Sequence, residues 1–582
     1  MSRRAFSSSE GLFARWLPIS HWLRHYTRED FGGDLVAGIV TAILLVPQGM
    51  AFALLAGLPP QVGLYASILP PIVYAALGTS RALAVGPVSV AAIMVAYALQ
   101  DLPPGSDPAA AALMLAALAA GILLLMGLLR LGVLATLLSH PVLSGFTSAA
   151  AVIIIASQLP SLTGVPLPGS TSFADFPAAL LDAIARTSLA TAALGIGGIA
   201  LLLAAGAPLE RFLVKLGMQG PRVVLVSRAS PLAVVLLSTL AVSAWSLHQR
   251  SGVAVVGAIP AGLPELGFDR LPWHIAPALL PAALLISLVS YVESLSIAKS
   301  LANRNRQRID ANQELIALGG ANFAAAVSGG MPVAGGFSRT MVNYNAGART
   351  QLASLVTAAL VGLVAAFFAH LLSTVPKAAL AAIIVVAVVK LIDLRGALAV
   401  WRYDRLDGGV LAITAAAVLI IGIEIGLAIG IAASLGSLVL RMSRPHIAVL
   451  GRIAGSEHFR NVRRHRVETW PQLLFMRVDE NMTFTNAGRI ESAIVSEIAA
   501  HPSAVHVILV MSSVSVIDST AVESMERLAQ SLRPSGVSLH LSDVKGPVMD
   551  RLRHSHLLAA IAPGKVFLSA NVAAEELSRR QD

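Results

Sequence analysis

The sequence predicts an α-helical polytopic membrane protein of about fourteen spans, arranged as a seven-plus-seven inverted repeat and followed by an α/β domain. Three observations lead to this fold class. Charged residues make up only 13% of the 582 residues, apolar runs of spanning length recur up to about residue 440, and two interrupted segments occupy matching places in that region. Soluble domains carry about 25% charged residues, so an ordinary soluble globule is excluded.

Charge density divides the chain near Leu440. The residues before this point contain 25 Lys/Arg and 18 Asp/Glu, whereas the 142 residues after it contain 17 and 14. The predicted parts are an N-terminal cytoplasmic segment at 1–34, a membrane domain at 35–440 with repeats at about 35–248 and 275–440, a linker at 441–467 and an α/β domain at 468–582. The chain has no cysteine, which excludes disulfide scaffolds, thiolate metal sites and cysteine nucleophiles.

Apolar runs predict the spans. Residues 109–129 contain no polar or charged side chain, and such a run crosses a hydrocarbon core of about 30 Å. Comparable runs predict spans at about 35–56, 62–78, 82–99, 109–129, 141–159, 177–206, 230–247, 275–298, 311–328, 337–346, 351–373, 376–393, 408–423 and 425–440.

Positive charge predicts the orientation. With a cytoplasmic N-terminus, the inner loops collect fifteen Lys/Arg and the outer loops four, as the positive-inside rule requires. An even number of spans then places the C-terminal domain in the cytoplasm too, and a bacterial inner membrane is the expected location. The net charge of +10 follows from this topology, so no nucleic-acid partner is expected.

Two segments of the membrane region are too interrupted for ordinary spans. Residues 84–90 contain Gly86 and Pro87, and residues 335–340 follow a second stretch rich in glycine and proline. Each predicts an extended stretch that opens into a helix. Such backbone is tolerable at membrane depth only where protein or a water-filled cavity receives it.

The spacing of these segments indicates an inverted repeat. Gly86 follows Gln48 by 38 residues, and Gly336 follows Glu293 by 43. Broken elements in corresponding places of two halves point to a transporter with its site at the midplane. The two half-helices would direct their N-termini, with free N–H groups and partial positive charge, at one anion-binding cavity. Close helix packing through small residues is the alternative explanation for the glycines.

At these residues the chain resembles the SulP family of anion permeases, the sulfate-permease and prestin-like transporters. The motifs that carry the resemblance are LVPQGMA at 45–51, GLY at 63–65, GTSR at 78–81, VGP at 85–87, VGAIPAGLP at 256–264, DANQEL at 310–315 and GFSRT at 336–340. The family implies seven plus seven inverted spans divided into a core and a gate domain. It also implies a homodimer and an elevator-like movement of core against gate.

The resemblance places the anion between the half-helices of the third and tenth spans. Backbone N–H groups would bind it, two residues of the first span would form side walls, and an arginine would supply positive charge. The implied anion-binding residues are Gln48, Phe52, Val88, Ser89, Phe337, Ser338 and Arg339. An arginine inside an apolar span costs roughly 2.5 kcal/mol or more to insert, which favours a functional role. A snorkelling or salt-bridged helix end is the alternative.

Glu293 is the predicted proton-coupling residue. It is the only acid between Asp269 and Asp310, and a buried carboxylate can load and release protons near neutral pH. The resemblance implies the same role. A sodium site would need several oxygen ligands, which the helical neighbours of Glu293 do not supply. The alternative is that Glu293 pairs with Arg339 or Lys299 and anchors the core.

Alternating strand and helix patterns after about residue 468 resemble a STAS domain. The sequence VIDSTA at 516–521 is close to the Asp-Ser-Ser/Thr-Gly motif of anti-sigma antagonists, with Ala521 in place of the glycine. Ser519 and Thr520 are therefore possible regulatory residues, and a helix N-cap is the alternative interpretation. No metal site, cofactor or catalytic constellation is expected, so the protein is predicted not to be an enzyme.

Together these features predict a secondary active transporter of a small anion in the lipid bilayer, coupled to a proton. Sulfate, bicarbonate, chloride and dicarboxylates all suit two helix N-termini and one arginine. Three alternatives stay open: an anion exchanger, a nucleobase–cation symporter of the same architecture, and a membrane receptor that signals through its STAS domain.

Overall fold

The computed structural model describes residues 17–24, 26–100, 102, 105–136, 139–165, 186–218, 223, 226–227, 229–267, 271–305 and 307–579. The predicted segment 1–34 and the start of the span predicted at 177–206 lie in large part outside these residues. The chain forms two compact units, which divide between Ser434 and Leu435.

The first half of the first unit is helical except for one short strand. Its helices are Ile19–Leu23 (α1), Arg28–Leu55 (α2), Pro60–Tyr65 (α3), Leu69–Leu77 (α4), Ser89–Gln100 (α5), Pro108–Leu128 (α6), His140–Thr163 (α7), Leu189–Ala204 (α8), Ala207–Lys215 (α9), Ser230–Ala244 (α10) and Leu247–Ser251 (α11). The strand Val85–Gly86 (β1) precedes α5.

The second half repeats this order. Its helices are Ala276–Asn305 (α12), Ala311–Val327 (α13), Phe337–Asn345 (α14), Leu352–Phe367 (α15), Lys377–Val388 (α16), Leu394–Tyr403 (α17), Arg405–Ile420 (α18) and Ile423–Met442 (α19). The last turns of α19, from Leu435, belong to the second unit. The strand Ala334–Gly335 (β2) precedes α14, as β1 precedes α5. Short 3₁₀ turns occur at Leu131–Thr136, Trp273–Ile275, Ala369–Leu372 and Val389–Leu391.

Many of the predicted spans are assembled from short helices. Six stretches of the described chain are long and apolar enough to cross a membrane, or up to seven if the bent pair α8–α9 counts as one. Other predicted spans coincide with shorter helices, such as α5, α10 and α15. Prolines and glycines shorten several of them: Pro59 and Pro60 begin α3, and Gly86 and Gly336 precede the half-helices.

The helices of the first unit pack in two groups, each drawn from both halves of the unit. In the first group α13 packs against α6 and α4, α12 against α6, and α15 against α2. In the second group α18 and α16 pack against α7, and α8 packs against α16. The groups meet where α2 contacts α16 and α10, and α2 and the end of α16 both line the cavity described below.

Two buried carboxylates fix loops of the first group. Glu314 is fully buried and accepts hydrogen bonds from the Thr79 N–H and hydroxyl at 2.7 and 2.6 Å and from the Tyr74 hydroxyl at 2.7 Å. Asp34 is also fully buried and accepts from the N–H groups of Arg349 and Thr350 at 2.7 and 2.9 Å. These bonds hold the loop that precedes β1 and the loop that follows α14.

The second unit is a six-stranded sheet with helices on both faces. Its strands are Ile447–Arg452 (β3), Phe459–Asn461 (β4), Leu473–Val478 (β5), His506–Val510 (β6), Ser538–Ser542 (β7) and Val566–Phe567 (β8), in the spatial order β4-β3-β5-β6-β7-β8. Its helices are Ala487–Ala500 (α20), Ser519–Leu532 (α21), Gly546–Arg553 (α22), Leu557–Ala560 (α23) and Ala570–Arg579 (α24).

The residues interpreted from the sequence as a linker, 441–467, contribute two strands to this sheet. β3 pairs antiparallel with both β4 and β5, whereas the pairings from β5 to β8 are parallel. The buried side chains of β3 alternate with half-buried ones, which is the pattern of a strand. The segment also contains six arginines and histidines between 458 and 466, a composition typical of a solvated linker as well as of an exposed edge.

A contact between the buried His540 and the half-buried His506 predicts that the stability of the second unit depends on pH. His540 is 3% exposed, its Nε2 lies 3.0 Å from Nδ1 of His506, and its Nδ1 accepts a hydrogen bond from the Lys565 N–H. Burial, and then the charges of His506 and Lys565, lower the pKa of His540 from 6.5 to about 4. The folded unit therefore binds fewer protons than the unfolded chain between these values, so its free energy of unfolding falls as pH drops across that window.

This expectation is tested on a fragment of residues 435–582, which has its own apolar cores on both faces of the sheet. Urea unfolding, followed by Trp470 fluorescence, should give a midpoint that decreases from pH 7 to pH 4. His540→Leu should flatten this decrease, and replacement of the exposed His556 by glutamine should preserve it. An equally steep decrease in His540→Leu would contradict the assignment.

Candidate functional site

The centre of the first unit is the crossing of β1 and β2. The two strands pair antiparallel, with Val85 opposite Gly335 and Gly86 opposite Ala334, so the chain enters the crossing from opposite directions. The half-helices α5 and α14 begin within three residues of the strands. Their N-termini therefore come together at one place, as the spacing of the two segments predicts.

The first turns of the half-helices present free N–H groups. The Val88 carbonyl accepts the Ala92 N–H at 2.9 Å, and the Gly336 carbonyl accepts the Thr340 N–H at 2.9 Å. Gly336 has no side-chain cap. Within the described residues, no acceptor contacts the N–H groups of Ser89 or Ser338. Unsatisfied N–H groups and the helix dipoles make such a place attractive to an anion.

A cavity of about 330 Å³ lies at these N-termini. It lies between the two helical groups, because α2, α12 and both half-helices contribute walls from one side, and the end of α16 and the turn after it contribute the wall on the other side. The lining residues are Gln48, Phe52, Pro87, Val88, Ser89, Glu293, Gly336, Phe337, Ser338, Arg339, Met341, Val342, Asn345, Ala387, Lys390 and Leu391. All seven sequence-predicted anion-binding residues and Glu293 are among them.

Gln48 and Phe52 line the cavity from α2, one turn apart. Both side chains are 5% exposed, and Pro47 lies inside the helix directly before Gln48. From the half-helices, Val88 is buried, whereas Phe337 is 54% exposed and Ser338 is also exposed. The cavity lining thus has backbone N–H groups and Ser89 and Ser338 at the half-helix ends, with the amide of Gln48 and the ring of Phe52 on the α2 side.

Arg339 lies beneath the half-helix ends. It is 2% exposed, its Nε donates to the Ala84 carbonyl and its Nη1 to the Pro87 carbonyl, both at 3.3 Å, and its Nη2 has no hydrogen-bond partner. The guanidinium fits there because Gly86 and Gly336 lack side chains: a Cβ would lie 2.9 Å from Nη1 at Gly86 and 3.1 Å from Nη2 at Gly336. The positive charge of Arg339 therefore adds to the partial positive charge at the N-termini of both half-helices.

Glu293 lies on α12 and is partly buried at the cavity wall. It is near enough to Arg339 for Coulombic attraction. Among the described ion pairs none joins these two residues within 4.0 Å, so the carboxylate is not neutralised by direct contact. Lys299, the other suggested partner, is exposed on the same helix and lies outside the cavity lining.

Hydrogen bonds from neighbouring elements fix the crossing. The Ser294 hydroxyl accepts the Gly335 N–H at 2.8 Å, and the Thr340 hydroxyl accepts the Ala84 N–H at 3.1 Å. The side-chain amide of Asn322 donates from Nδ2 to the Val333 carbonyl at 3.0 Å, and its Oδ1 accepts the Val333 N–H at 2.9 Å. Glu293 is adjacent to Ser294, so α12 positions both the strand crossing and the predicted coupling residue.

Sequence reasoning missed the wall contributed by the second helical group. Ala387, Lys390 and Leu391 come from the end of α16 and the turn after it. In the sequence, Lys390 is one of the fifteen Lys/Arg that the charge count assigns to the inner loops. It also lines a smaller cavity of about 90 Å³ together with Gln48, Ser338 and residues of α8 and α10. The one signal available was a cation directly after an apolar helix, which does not by itself indicate a cavity.

The possible regulatory residues belong to the second unit. Ser519 and Thr520 are exposed in the first turn of α21, and Asp518 is the N-cap. Asp518 accepts the Ala521 N–H at 2.9 Å and the Phe484 N–H at 2.7 Å, which is the capping geometry expected from the sequence. Throughout the described chain, no group of three or more His, Asp or Glu side chains could hold a metal ion.

Family models match most of the chain. Residues 31–414 match the model of the sulfate permease family, and residues 464–573 match that of the STAS domain. A probable sulfate transporter 4.2 of Arabidopsis thaliana is 35% identical over 96% of this chain and 83% of its own length. A probable sulfate transporter of Mycobacterium tuberculosis is 34% identical over 97% of this chain and 99% of its own.

Solved structures show the same fold. A structure of SLC26A9 superposes with a TM-score of 0.87 over 98% of this chain and 94% of its own, at 23% identity. The transmembrane domain of BicA, described as a cyanobacterial bicarbonate transporter, superposes with a TM-score of 0.57 over 71% of this chain and 99% of its own, at 21% identity. These likenesses confirm the predicted class, a helical membrane fold of this transporter type with a C-terminal STAS domain.

Proposed function

Because this chain belongs to the sulfate permease family, we propose that it is a secondary active transporter that carries a small anion together with a proton. The family consists of membrane anion transporters. The finer proposal is that sulfate, bicarbonate or a dicarboxylate is the substrate. The observation that carries it is the convergence of two half-helix N-termini on a 330 Å³ cavity, with a buried arginine beneath them.

Anion binding follows from the electrostatics of this cavity. Free N–H groups at Ser89 and Ser338 would donate to the anion, and the two helix dipoles add partial positive charge. Arg339 contributes a full positive charge beside the half-helix ends, and because its side chain is buried, solvent screens this charge only weakly. Gln48 and Phe52 would form the side walls, with Val88 and Phe337 at the helix ends.

Proton coupling follows from the position of Glu293. An ionised Glu293 in the cavity wall repels an anion at the half-helix ends, and protonation removes this repulsion. Anion and proton binding therefore favour each other, and by linkage each raises the affinity for the other equally. This reciprocity is what a symporter needs to carry both together.

Movement between the two helical groups would expose the cavity to each side in turn. The half-helices, α2 and α12 would move as the core, against a gate that contains α8, α10 and α16. We further propose a homodimer in a bacterial inner membrane with both termini cytoplasmic. The repeat and domain boundaries at 35–248, 275–440 and 468–582, and a regulatory role for Ser519 or Thr520, stay predictions.

Counterflow in liposomes tests the proposed function. Protein is reconstituted with one unlabelled anion inside, and uptake of labelled sulfate, bicarbonate, succinate or fumarate is followed with and without an inward proton gradient. We expect at least one of these anions to be taken up and the gradient to accelerate it. Exchange that requires an internal anion and ignores the gradient would instead indicate an exchanger.

Two other outcomes would contradict the proposal. Uptake of labelled uracil without uptake of any anion would indicate a nucleobase–cation symporter. Anion binding without flux under any gradient would indicate a receptor that signals through the STAS domain.

Gly86→Ala is expected to weaken anion binding, because its Cβ would lie 2.9 Å from Nη1 of Arg339 and φ at this residue is +156°. The new methyl group displaces the guanidinium from its place at the half-helix ends. An interaction with a charged group is worth about 1.5–3 kcal/mol, so partial loss of it should lower the affinity by up to about tenfold. Equilibrium binding of labelled sulfate, or of the anion that counterflow identifies, measures it. Gly121→Ala is the matched control, since a Cβ there meets nothing within 4 Å. Equal affinity of the two variants would contradict the claim that Gly86 leaves room for the Arg339 guanidinium at the anion site.

A further inference from the structure

Arginines accumulate where the last apolar helix gives way to the sheet of the second unit. Between 441 and 466 the chain has seven arginines and one acidic residue, Glu457. Four of them fall within seven residues, and we call residues 460–466 the polybasic turn. Its arginines are Arg460, Arg463, Arg464 and Arg466.

The fold does not use the side-chain charges of the polybasic turn. All four arginines are exposed, and in this part of the described chain none of them has an acidic partner within 4.0 Å. Only Arg460 makes a side-chain hydrogen bond, to its neighbour's carbonyl at 3.3 Å. Arg452 nearby differs: it pairs with Glu468 at 3.3 Å and lies 5.1 Å from the centre of the Trp470 ring.

Backbone pairing brings the turn back along β3, toward the end of α19. β4 runs antiparallel to β3, and the Val462 N–H donates to the Val449 carbonyl at 3.1 Å. The N–H groups of Arg464 and His465 then close a turn on the Asn461 carbonyl. At about 3.3 Å per residue, the seven residues from Met442 to Val449 span at most roughly 23 Å.

The same compact unit contains the last turns of α19, because it begins at Leu435. α19 is one of the helices long and apolar enough to cross a membrane, so its end at Met442 lies near a headgroup layer. Because α19 anchors the chain in the membrane, the bilayer surface stays near the polybasic turn, and anionic lipids make this surface a polyanion.

We propose that the polybasic turn binds the phosphate groups of anionic lipids at the membrane surface beside α19. Guanidinium groups bind phosphate through paired N–H donors, and clusters of basic residues next to a membrane helix are attracted by anionic leaflets within about a Debye length. The contact tethers the outer strands of the STAS sheet to the bilayer. This proposal is independent of the substrate and of proton coupling.

Hydrogen–deuterium exchange on the full chain in nanodiscs tests the proposal. Exchange of residues 459–467 is compared between discs of phosphatidylcholine alone and discs with equal parts of phosphatidylglycerol. We expect about tenfold slower exchange in the anionic discs, and loss of this difference at roughly 1 M salt, where the Debye length falls to about 3 Å.

Two variants, each with four Arg→Gln substitutions and therefore the same net charge, distinguish an effect of the polybasic turn from an effect of overall net charge. Arg460→Gln, Arg463→Gln, Arg464→Gln and Arg466→Gln together should abolish the lipid-dependent difference. Exchange of β5, β6 and β7 in the same protein reports that the sheet is intact. The control carries Arg→Gln at the exposed positions 489, 527, 553 and 579 and should keep the difference.

Three results would overturn the proposal. The first is equal exchange in both kinds of disc at low salt. The second is a lipid-dependent difference that persists in the fourfold variant of the turn. The third is protection by a single-stranded oligonucleotide in neutral discs without any protection by anionic lipid, which would assign the turn to nucleic acid instead.

Discussion

Arg339→Ala should weaken anion binding by about tenfold or more. The substitution removes the full positive charge beneath the two half-helix N-termini and leaves only the N–H groups and the helix dipoles to attract the anion. A hydrogen bond or close interaction with a charged group is worth about 1.5–3 kcal/mol, which corresponds to a tenfold to hundredfold loss. Equilibrium binding of labelled sulfate, or of the anion identified by counterflow, to the purified protein measures the change.

Arg339→Lys is the matched control, because it keeps the positive charge and loses the fork that donates to Ala84 and Pro87. We expect this variant to retain more affinity than Arg339→Ala. Thermal unfolding of both variants distinguishes lost binding from lost fold. Unchanged affinity in a folded Arg339→Ala protein would remove Arg339 from the site.

Glu293→Gln should abolish the effect of a proton gradient on uptake while leaving anion binding largely intact. Glutamine resembles the protonated glutamate in shape and charge, so the cavity stays in the form that accepts the anion. No proton can then be loaded or released at this position. Uptake in liposomes, measured with and without an inward proton gradient, should show the same rate in this variant under both conditions.

Glu293→Asp is the control for this experiment, since it keeps an ionisable carboxyl group in nearly the same place. We expect it to retain a response to the gradient. If Glu293→Gln is still accelerated by the gradient as strongly as the unaltered protein, Glu293 is not the coupling residue and the alternative structural role is favoured.

The central features of the site follow from local sequence because they depend on backbone chemistry. Gly86 and Gly336 interrupt apolar segments at matching distances from Gln48 and Glu293, and this is enough to predict two half-helices that face one cavity. Arg339 is conspicuous because few arginines occur inside apolar segments. The structure adds that Arg339 lies beneath the helix ends, where two glycines leave room for it.

Other features depend on contacts between residues distant in sequence. The hydrogen bonds from Thr79 to Glu314 and from Thr350 to Asp34 join residues more than 230 positions apart, and no local pattern predicts them. Lys390 faces the cavity only because α16 packs against α2. The strands β3 and β4 lie in a segment rich in arginine, whose composition is also typical of a solvated linker, and their pairing with each other and with β5 depends on the folded sheet.

The most direct test of the account is to locate a bound anion in the transport-competent protein. Selenate is a heavier analogue of sulfate, and a structure determined in its presence shows where it binds. The account predicts selenate between the two half-helix ends, within hydrogen-bond distance of the N–H groups of Ser89 and Ser338. Selenate bound elsewhere in protein that transports it, with the space between Val88 and Ser338 filled by side chains, would contradict the account.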